Sequence, residues 1–170
     1  MIVIICGLPG VGKSSLSAHL APLIDAVVLS SDKVRKELIA RPTYSKGEVR
    51  LIYNLISLIA KYLHNAGLNC IIDATFNREK LRKQFKRKLE LPDEQVRIVE
   101  CISQENIIIQ RLMARKKGYS DADFSVYKRM KKNFQPIREA HITVDTSQLP
   151  LDTIARETAN RISNVKKVRN

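Results

Sequence analysis

Cysteine is scarce in this sequence and tryptophan is absent: the 170 residues include three Cys and no Trp. Cys6, Cys70 and Cys101 are odd in number, each lies inside an apolar run, and no CxxC or Cys/His spacing is present. This pattern disfavours both a disulfide framework and a structural metal site. We expect buried free thiols in a reducing compartment.

Long apolar runs and linkers are lacking as well. No apolar stretch approaches the roughly 20 residues of a membrane-spanning helix, and the first predicted strand begins at Ile2, which leaves no room for a signal peptide. No segment rich in Pro, Gly or Ser divides the chain. These absences predict a soluble cytoplasmic protein without membrane contact, folded as a single domain over residues 1–170.

Acidic residues are few relative to basic ones. The chain has 17 Asp and Glu against 30 Lys and Arg, a net charge of +13. The basic residues concentrate in three runs, at 78–88, 115–117 and 128–132. A solvated helix face is the ordinary explanation of any one run, but three runs in one small chain favour an anionic partner. Such a surface would make binding to RNA or DNA depend on salt.

Five apolar segments indicate the strands of a sheet, at residues 2–6, 26–30, 70–73, 96–101 and 141–145. They are rich in Val and Ile and lack clean alternation, as is typical of parallel strands covered on both faces. Helical segments lie between them; Ser45 with Glu48 forms a capping box at one start, and Ser120 with Asp123 marks another. The alternation predicts an α/β doubly wound parallel sheet whose ligands lie beyond the carboxyl ends of the strands.

The stretch GLPGVGKSS directly after the first strand carries the strongest motif. Its GxxxxGKS spacing is that of a P-loop, in which backbone amides surround the phosphates of ATP or GTP, a lysine reaches the terminal phosphates and a serine ligates Mg²⁺. The lysine is Lys13 and the metal-ligating serine is Ser14. The predicted nucleotide contacts in this loop are Gly7, Pro9, Gly10, Val11, Gly12, Lys13, Ser14 and Ser15.

The motifs of other nucleotide-binding classes are missing. Motor-type ATPases end a strand with an Asp-Glu pair, but here Ala74 follows Asp73. Neither the NKxD and DxxG motifs of GTPase switches nor the LSGGQ signature of transporters is present. Phosphoryl transfer to an acceptor is the remaining chemistry, and it depends mainly on positioning and electrostatics.

Carboxylates and arginines suited to that chemistry follow the second and third strands. Asp32 at the end of strand two is a candidate general base, although it could serve only as a helix N-cap. Asp73 at the end of strand three is a candidate acceptor for Mg²⁺ or its waters. Arg111 and Arg115, four residues apart on one helix, suit a helical lid over residues 111–133 that closes on the phosphates, or they are ordinary surface arginines.

Four stretches in this order resemble a known group: GLPGVGKSS, SSDKVRKEL, IIDATFNREKLR and RLMARKKGYSDADFSVYKRM. They are similar to the P-loop kinases that include polynucleotide 5′-hydroxyl kinase, zeta toxin and chloramphenicol phosphotransferase. The resemblance implies a P-loop NTPase fold with strand three beside the phosphate-loop strand. It also implies that Asp32 is the general base, that Arg35 contacts a substrate phosphate, and that Arg115 contacts the donor phosphates.

These observations predict a kinase that uses ATP or GTP with Mg²⁺ and acts on a hydroxyl, foremost the 5′-OH of RNA or DNA. Thr75, Phe76 and Arg78, directly after strand three, are predicted acceptor contacts, with Phe76 placed to stack on a base. The alternatives are a kinase for a small alcohol such as an antibiotic, sugar or nucleoside, an aminoacyl-tRNA kinase, and a nucleotide-dependent binding module without transfer. The oligomeric state is left open.

Overall fold

The structure, a computed structural model, describes residues 1–114 and 120–164. Five parallel strands form one sheet in the order β2-β3-β1-β4-β5. The strands are β1 (Ile2–Cys6), β2 (Ala26–Ser30), β3 (Asn69–Asp73), β4 (Val96–Ile102) and β5 (Ile142–Asp145). The predicted strands are confirmed to within one residue at each end, and β3 lies beside β1 as the resemblance implies. The carboxyl ends of β1, β2 and β3 therefore meet at one edge of the sheet.

Seven helices cover the two faces of the sheet in the described part of the chain. They are α1 (Lys13–Leu20), α2 (Ser31–Leu38), α3 (Lys46–Asn65), α4 (Glu79–Leu89), α5 (Glu105–Ala114), α6 (Phe124–Asn133) and α7 (Leu151–Asn164). Side chains from α3 and α4 pack with Ile2 and Ile4 of β1, whereas α1, α5, α6 and α7 pack with Val3 and Ile5. Successive residues of one strand thus fill opposite cores.

Strand β2 is less buried than predicted, since the sequence pattern indicated that both of its faces would be covered. It forms the edge of the sheet, where Val27 and Val28 are 40% and 36% exposed. An edge strand has a neighbouring strand on one side only, and β2 stays partly exposed although α1 and α2 both contact it. None of the described helices is long and apolar enough to cross a membrane.

Two helix starts differ from the predicted ones in their capping. α6 begins at Phe124 rather than at residue 121, because the Asp123 carboxylate accepts the Val126 amide at 2.8 Å and is itself the N-cap. At α3, Ser45 caps the Glu48 amide as predicted. The Glu48 carboxylate, however, accepts from the backbone and hydroxyl of Thr43, at 2.7 and 2.8 Å, and so closes the loop before the helix.

The three cysteines are free and buried, which confirms the expectation of unpaired thiols. Burial raises the pKa of Cys6, Cys70 and Cys101 to about 12 in each case. These thiols are therefore protonated and unreactive at neutral pH.

Candidate active site

The glycine-rich loop after β1 packs so closely against its neighbours that three of its glycines leave no room for a side chain. Gly7, Gly10 and Gly12 have φ angles of 139°, 83° and 89°. A Cβ on Gly7 would lie 2.4 Å from the carbonyl oxygen of Cys101, and one on Gly12 would lie 3.1 Å from Oγ1 of Thr146. The loop is thus fixed by close backbone approach, and α1 begins directly after it with its amide groups toward the loop.

Thr146, directly after β5, fastens this loop from the other side. Its hydroxyl donates to the carbonyl oxygen of Val11 at 2.7 Å. Arg111 in turn donates to Oγ1 and to the carbonyl oxygen of Thr146, at 2.9 and 2.8 Å. Thr146 is not among the individually predicted site residues, but it lies in the stretch VDTS over 144–147, which the resemblance places beside the nucleotide base. Arg111, predicted as a lid residue on the phosphates, instead anchors the loop in this structure.

Lys13, Ser14 and Asp73 form the polar centre of the site. The Ser14 hydroxyl donates to Oδ2 of Asp73 at 2.6 Å, and the Lys13 ammonium donates to the carbonyl oxygen of Leu8 at 3.0 Å. Burial raises the pKa of Asp73, and this shift is opposed by the Lys13 charge and the Ser14 hydrogen bond. A lysine bonded only to a loop carbonyl is free to turn toward an incoming phosphate.

The donor set of Ser14 and Asp73 fits Mg²⁺. Both supply hard oxygen atoms, and Mg²⁺ in phosphate-transfer sites is held by one or two protein oxygens together with waters and substrate phosphates. Among the described residues, no group of three or more His, Cys, Asp and Glu side chains could hold a metal. A Mg²⁺ ion held by Ser14 and Asp73 would take its remaining ligands from waters and from the phosphates of a bound nucleotide.

Asp32 lies in the first turn of α2, beside the loop. The N-cap of α2 is Ser30, whose hydroxyl accepts the Lys33 amide at 3.4 Å, so Asp32 is not the cap. Arg35, one turn on, donates to Oδ1 of Asp32 at 2.9 Å. Asp32 and Asp73 line the same cleft, and the charge of Asp32 adds to the rise in the pKa of Asp73 that burial causes.

Arg35 is buried between two carboxylates. Its side chain is 5% exposed, and its Nε lies 2.9 Å from Oε1 of Glu48. The Nε hydrogen is not aligned on that oxygen, so the contact is an ion pair rather than a directed hydrogen bond. The guanidinium also lies 4.7 Å from the ring centre of Tyr44. In this arrangement Arg35 contacts the carboxylates of Asp32 and Glu48, and its expected contact with a substrate phosphate stays a prediction.

These groups line one cleft of about 120 Å³ at the carboxyl edge of the sheet. Its walls come from the glycine-rich loop, from the ends of β2 and β3, and from the segment that leads into α6. The lining residues are Pro9, Gly10, Gly12, Lys13, Ser14, Ser15, Ser30, Ser31, Asp32, Asp73, Ala74, Thr75, Ser120, Ala122 and Met130. Residues that follow the first three strands thus converge, as the predicted fold requires.

The remaining predicted acceptor contacts are divided between surface and core. Thr75 lines the cleft, whereas Arg78 is exposed at the start of α4 and outside it. The prediction that Phe76 stacks on a base is wrong here: its ring is fully buried, with centroids 4.9 Å from Tyr53 and 5.1 Å from Phe85. Arg115 lies outside the described residues.

The segment before α6 is attached to the opposite wall of the cleft. Asp121 accepts hydrogen bonds from the Lys36 ammonium and, at 2.6 Å, from the Tyr44 hydroxyl. Tyr44 has a positive φ of 56°, which aims its side chain across the gap. Ser120 and Ala122 on either side of Asp121 then face the cleft. Neither Asp121 nor Tyr44 was predicted at this position, because their pairing joins segments 77 residues apart.

A protein-family model described as AAA domain (AAA_33) matches residues 2–137 of this chain. Two curated relatives, the uncharacterized proteins Rv2004c of Mycobacterium tuberculosis and Mb2027c of Mycobacterium bovis, are each 30% identical to it over 135 residues. The match takes in 71% of this chain and 27% of each relative. The chain thus spans about a quarter of the length of these relatives.

Solved structures share the fold at low sequence identity. A sugar kinase from Janibacter sp. has a TM-score of 0.74 at 12% identity, with 99% of this chain and 98% of that chain covered. A gluconokinase from Sinorhizobium meliloti has a TM-score of 0.74 at 16% identity, covering 97% and 93%. The Mycobacterium tuberculosis APS kinase CysC, solved with AMPPNP and APS, has a TM-score of 0.73 at 18% identity, covering 95% and 96%. The α/β P-loop NTPase fold predicted from the sequence is thereby confirmed.

Proposed function

The chain belongs to the AAA domain family AAA_33, and we propose that it is a kinase that transfers the γ-phosphoryl group of ATP or GTP to a hydroxyl. One observation carries this proposal: Asp32 lines the same cleft as Lys13 and the hydrogen-bonded pair of Ser14 and Asp73. A module that only binds nucleotide has no need of a carboxylate opposite the phosphate loop. A kinase needs one to orient the acceptor hydroxyl and to take its proton.

Each of these side chains has a task in the proposed reaction. The nucleotide supplies the phosphoryl group, and Mg²⁺ neutralises charge on its phosphates. Ser14 and Asp73 would hold the metal, and Lys13 would leave the Leu8 carbonyl for the terminal phosphates. Arg35 occupies Oδ1 of Asp32, so Oδ2 would accept the proton of the acceptor hydroxyl. We treat residues 111–133 as the lid of one kinase domain, with Arg115 as a donor-phosphate contact.

We propose the 5′-OH of RNA or DNA as the acceptor, because the net charge is +13 and basic side chains are concentrated on α4. The fold neighbours described as sugar kinase and gluconokinase act on small alcohols by their names. A specific observation favours such an acceptor as the second candidate. Apart from Lys13, the described residues that line the cleft include no cation, and several carry hydroxyl groups that could bond a neutral polyol.

The test incubates the protein with Mg²⁺ and γ-labelled ATP or GTP, offering a 5′-OH oligonucleotide, its 5′-phosphorylated twin and a panel of sugars and nucleosides. We expect label on the 5′-OH strand only. The Asp32→Asn variant should lose transfer by about 10²- to 10⁴-fold while it still binds nucleotide, because the carboxylate acts on the acceptor side. The matched control is Asp25→Asn, an exposed left-handed position that Asn tolerates.

The outcomes separate the candidates. If only a sugar or nucleoside were labelled, the acceptor would be a small alcohol, the second candidate, rather than a nucleic acid. Full transfer by Asp32→Asn would remove Asp32 from the chemistry. Nucleotide binding without label on any acceptor would support the binding module.

A further inference from the structure

A second recess lies between α3 and α4, outside the cleft described above. It has a volume of about 350 Å³ and is thus larger than the cleft. We call it the α3–α4 groove. The lining residues used below are Arg50, Tyr53, Asn54, Leu81, Phe85, Arg87, Lys88 and Glu90.

The α3–α4 groove carries positive charge that nearby acids leave uncompensated. The α4 sequence EKLRKQFKRKL contains six basic residues and one acidic residue. The acids of this region are already paired, Glu79 with Lys83, Glu90 with Lys61 and Asp93 with Lys86. Arg50 and Arg87 are both exposed, and among the described residues neither has an acidic partner.

The floor of the groove is apolar and its walls are polar. Tyr53 and Phe85 are 8% and 2% exposed and meet edge to face, with centroids 6.3 Å apart. Asn54 on the wall accepts a hydrogen bond from the Lys88 ammonium. Cations above an apolar floor match a strand that carries phosphates on one edge and bases on the other. The cations line a recess rather than a ridge, so they suit a single strand better than a duplex groove.

The groove and the cleft share a structural element. The Tyr53 hydroxyl accepts the backbone amide of Phe76 at 3.4 Å. Thr75, the preceding residue, lines the cleft, and Leu81, a few residues later, lines the groove. Exposed Arg78 lies between them in the chain. Residues 75–81 thus connect a wall of the cleft with a wall of the groove.

We propose that the α3–α4 groove binds the phosphodiester backbone of single-stranded nucleic acid. The site is a grip for the polymer, separate from the residues that carry out transfer. It deepens the proposed function and rests on it only for the step in which the bound strand delivers its 5′ end to the cleft; binding itself requires no transfer.

The test measures binding of a labelled, 5′-phosphorylated oligonucleotide by fluorescence anisotropy without nucleotide, over 50 to 300 mM salt. This strand offers no 5′-OH, so an inactive kinase gives the same reading as an active one. Two variants remove the same charge. Arg50→Gln with Arg87→Gln changes the groove, and Arg156→Gln with Arg161→Gln changes exposed positions on α7, which packs on the other face of the sheet. Thermal unfolding confirms that both variants fold.

We expect the groove variant to bind roughly tenfold more weakly at low salt. The slope of log affinity against log salt should fall by about 1.4, which is 0.7 for each of two phosphate contacts on a single strand. The control variant should keep most of the affinity. If both variants lost the same affinity for the oligonucleotide, net charge alone would attract the strand. The proposed binding site in the groove would then be wrong. If the wild-type protein did not bind the oligonucleotide, the proposal would be overturned. If it then bound polyglutamate, and this binding depended on Arg50 and Arg87, the groove would be assigned to an acidic protein instead.

Discussion

At the scale of single residues, Asp73 combines a structural cost with a binding role. Burial raises the pKa of its carboxyl, so the folded chain holds this proton at a higher pH than the unfolded chain does. Stability from this group is therefore present at low pH and is lost as pH rises through the raised pKa. Above the raised pKa the ionised carboxylate destabilises the nucleotide-free protein, and a bound cation would offset that effect.

We predict that Asp73→Asn unfolds at a higher temperature than wild type at pH 7 without nucleotide, and that the difference shrinks as pH is lowered. The same variant should lose most of the stabilisation that Mg²⁺ with nucleotide gives to wild type. Differential scanning fluorimetry with and without both ligands measures both effects. Asp25→Asn is the control, since it removes an exposed carboxylate and leaves the buried one of Asp73. Identical unfolding temperatures for Asp73→Asn and wild type at every pH would contradict the argument.

Single residues also show where sequence reasoning reaches its limit. The places of Lys13, Ser14 and Asp73 follow from a motif and a strand end, both of which are local. The roles of Arg35 and Phe76 depend on α3, which supplies Glu48 and Tyr53. Burial by a distant helix leaves no mark in the residues beside the motif. The motif and the strand ends therefore predict which residues lie near the cleft. They do not predict which of these residues are buried in the core and cannot reach a ligand.

At the scale of elements, the glycine-rich loop depends on positions that exclude a side chain. Gly7→Ala places a Cβ 2.4 Å from a backbone carbonyl at a φ of +139°, and neither atom is on a flexible side chain. We predict a loss of more than about 3 kcal/mol in unfolding free energy, the upper end for backbone strain alone, and loss of nucleotide binding. Urea denaturation and nucleotide titration check this.

Gly47→Ala is the matched control within α3. Its Cβ would meet nothing within 4 Å, and the residue lies in the first turn of the helix. Exchange of Gly for Ala at a helical position should stabilise the protein by up to about 1 kcal/mol. If both substitutions had the same effect, the close approach to Cys101 would not be what fixes the loop.

Element boundaries were predictable where a strong local signal ends the element. Pro22 has no amide to donate, and α1 accordingly gives way to a 3-10 turn at Ala21–Leu23. Ser45 begins α3 as predicted, since its hydroxyl has one amide within reach. The start of α6 was placed too early because Ser120 and Asp123 are both good caps. Only the path of the chain over the cleft, held by Asp121, selects Asp123.

At the scale of the whole molecule, the parallel sheet follows from the alternation of strands and helices, whereas the covering of its edge does not. The neighbourhood of β3 and β1 was implied by the resemblance to P-loop kinases, and the structure has it. The exposure of Val27 and Val28 in β2 is found at the edge of the sheet, although α1 and α2 contact this strand. That depends on helix positions, which the sequence pattern of β2 does not encode.

The charge of the whole chain opposes its own folding. A net charge of +13 produces self-repulsion that salt screens, because the Debye length falls to about 10 Å at 0.1 M salt. Salt also weakens the exposed ion pairs, but such pairs contribute only about 0 to 1 kcal/mol each. Repulsion acts on every basic residue of the folded chain, so its relief should dominate. We therefore predict that the unfolding temperature rises by several degrees between low salt and 0.3 M NaCl.

Anion binding at the glycine-rich loop would also stabilise the protein, and it must be separated from screening. Lys13→Met weakens that site while it changes the net charge by one unit only. If screening is the cause, the unfolding temperature should rise by the same amount with NaCl in Lys13→Met and in wild type, as thermal unfolding can measure. Sulfate, which resembles a phosphate group, should raise the unfolding temperature of wild type more than that of Lys13→Met. A fall with NaCl in both proteins would mean that ion pairs such as Lys131 with Glu105 outweigh the repulsion.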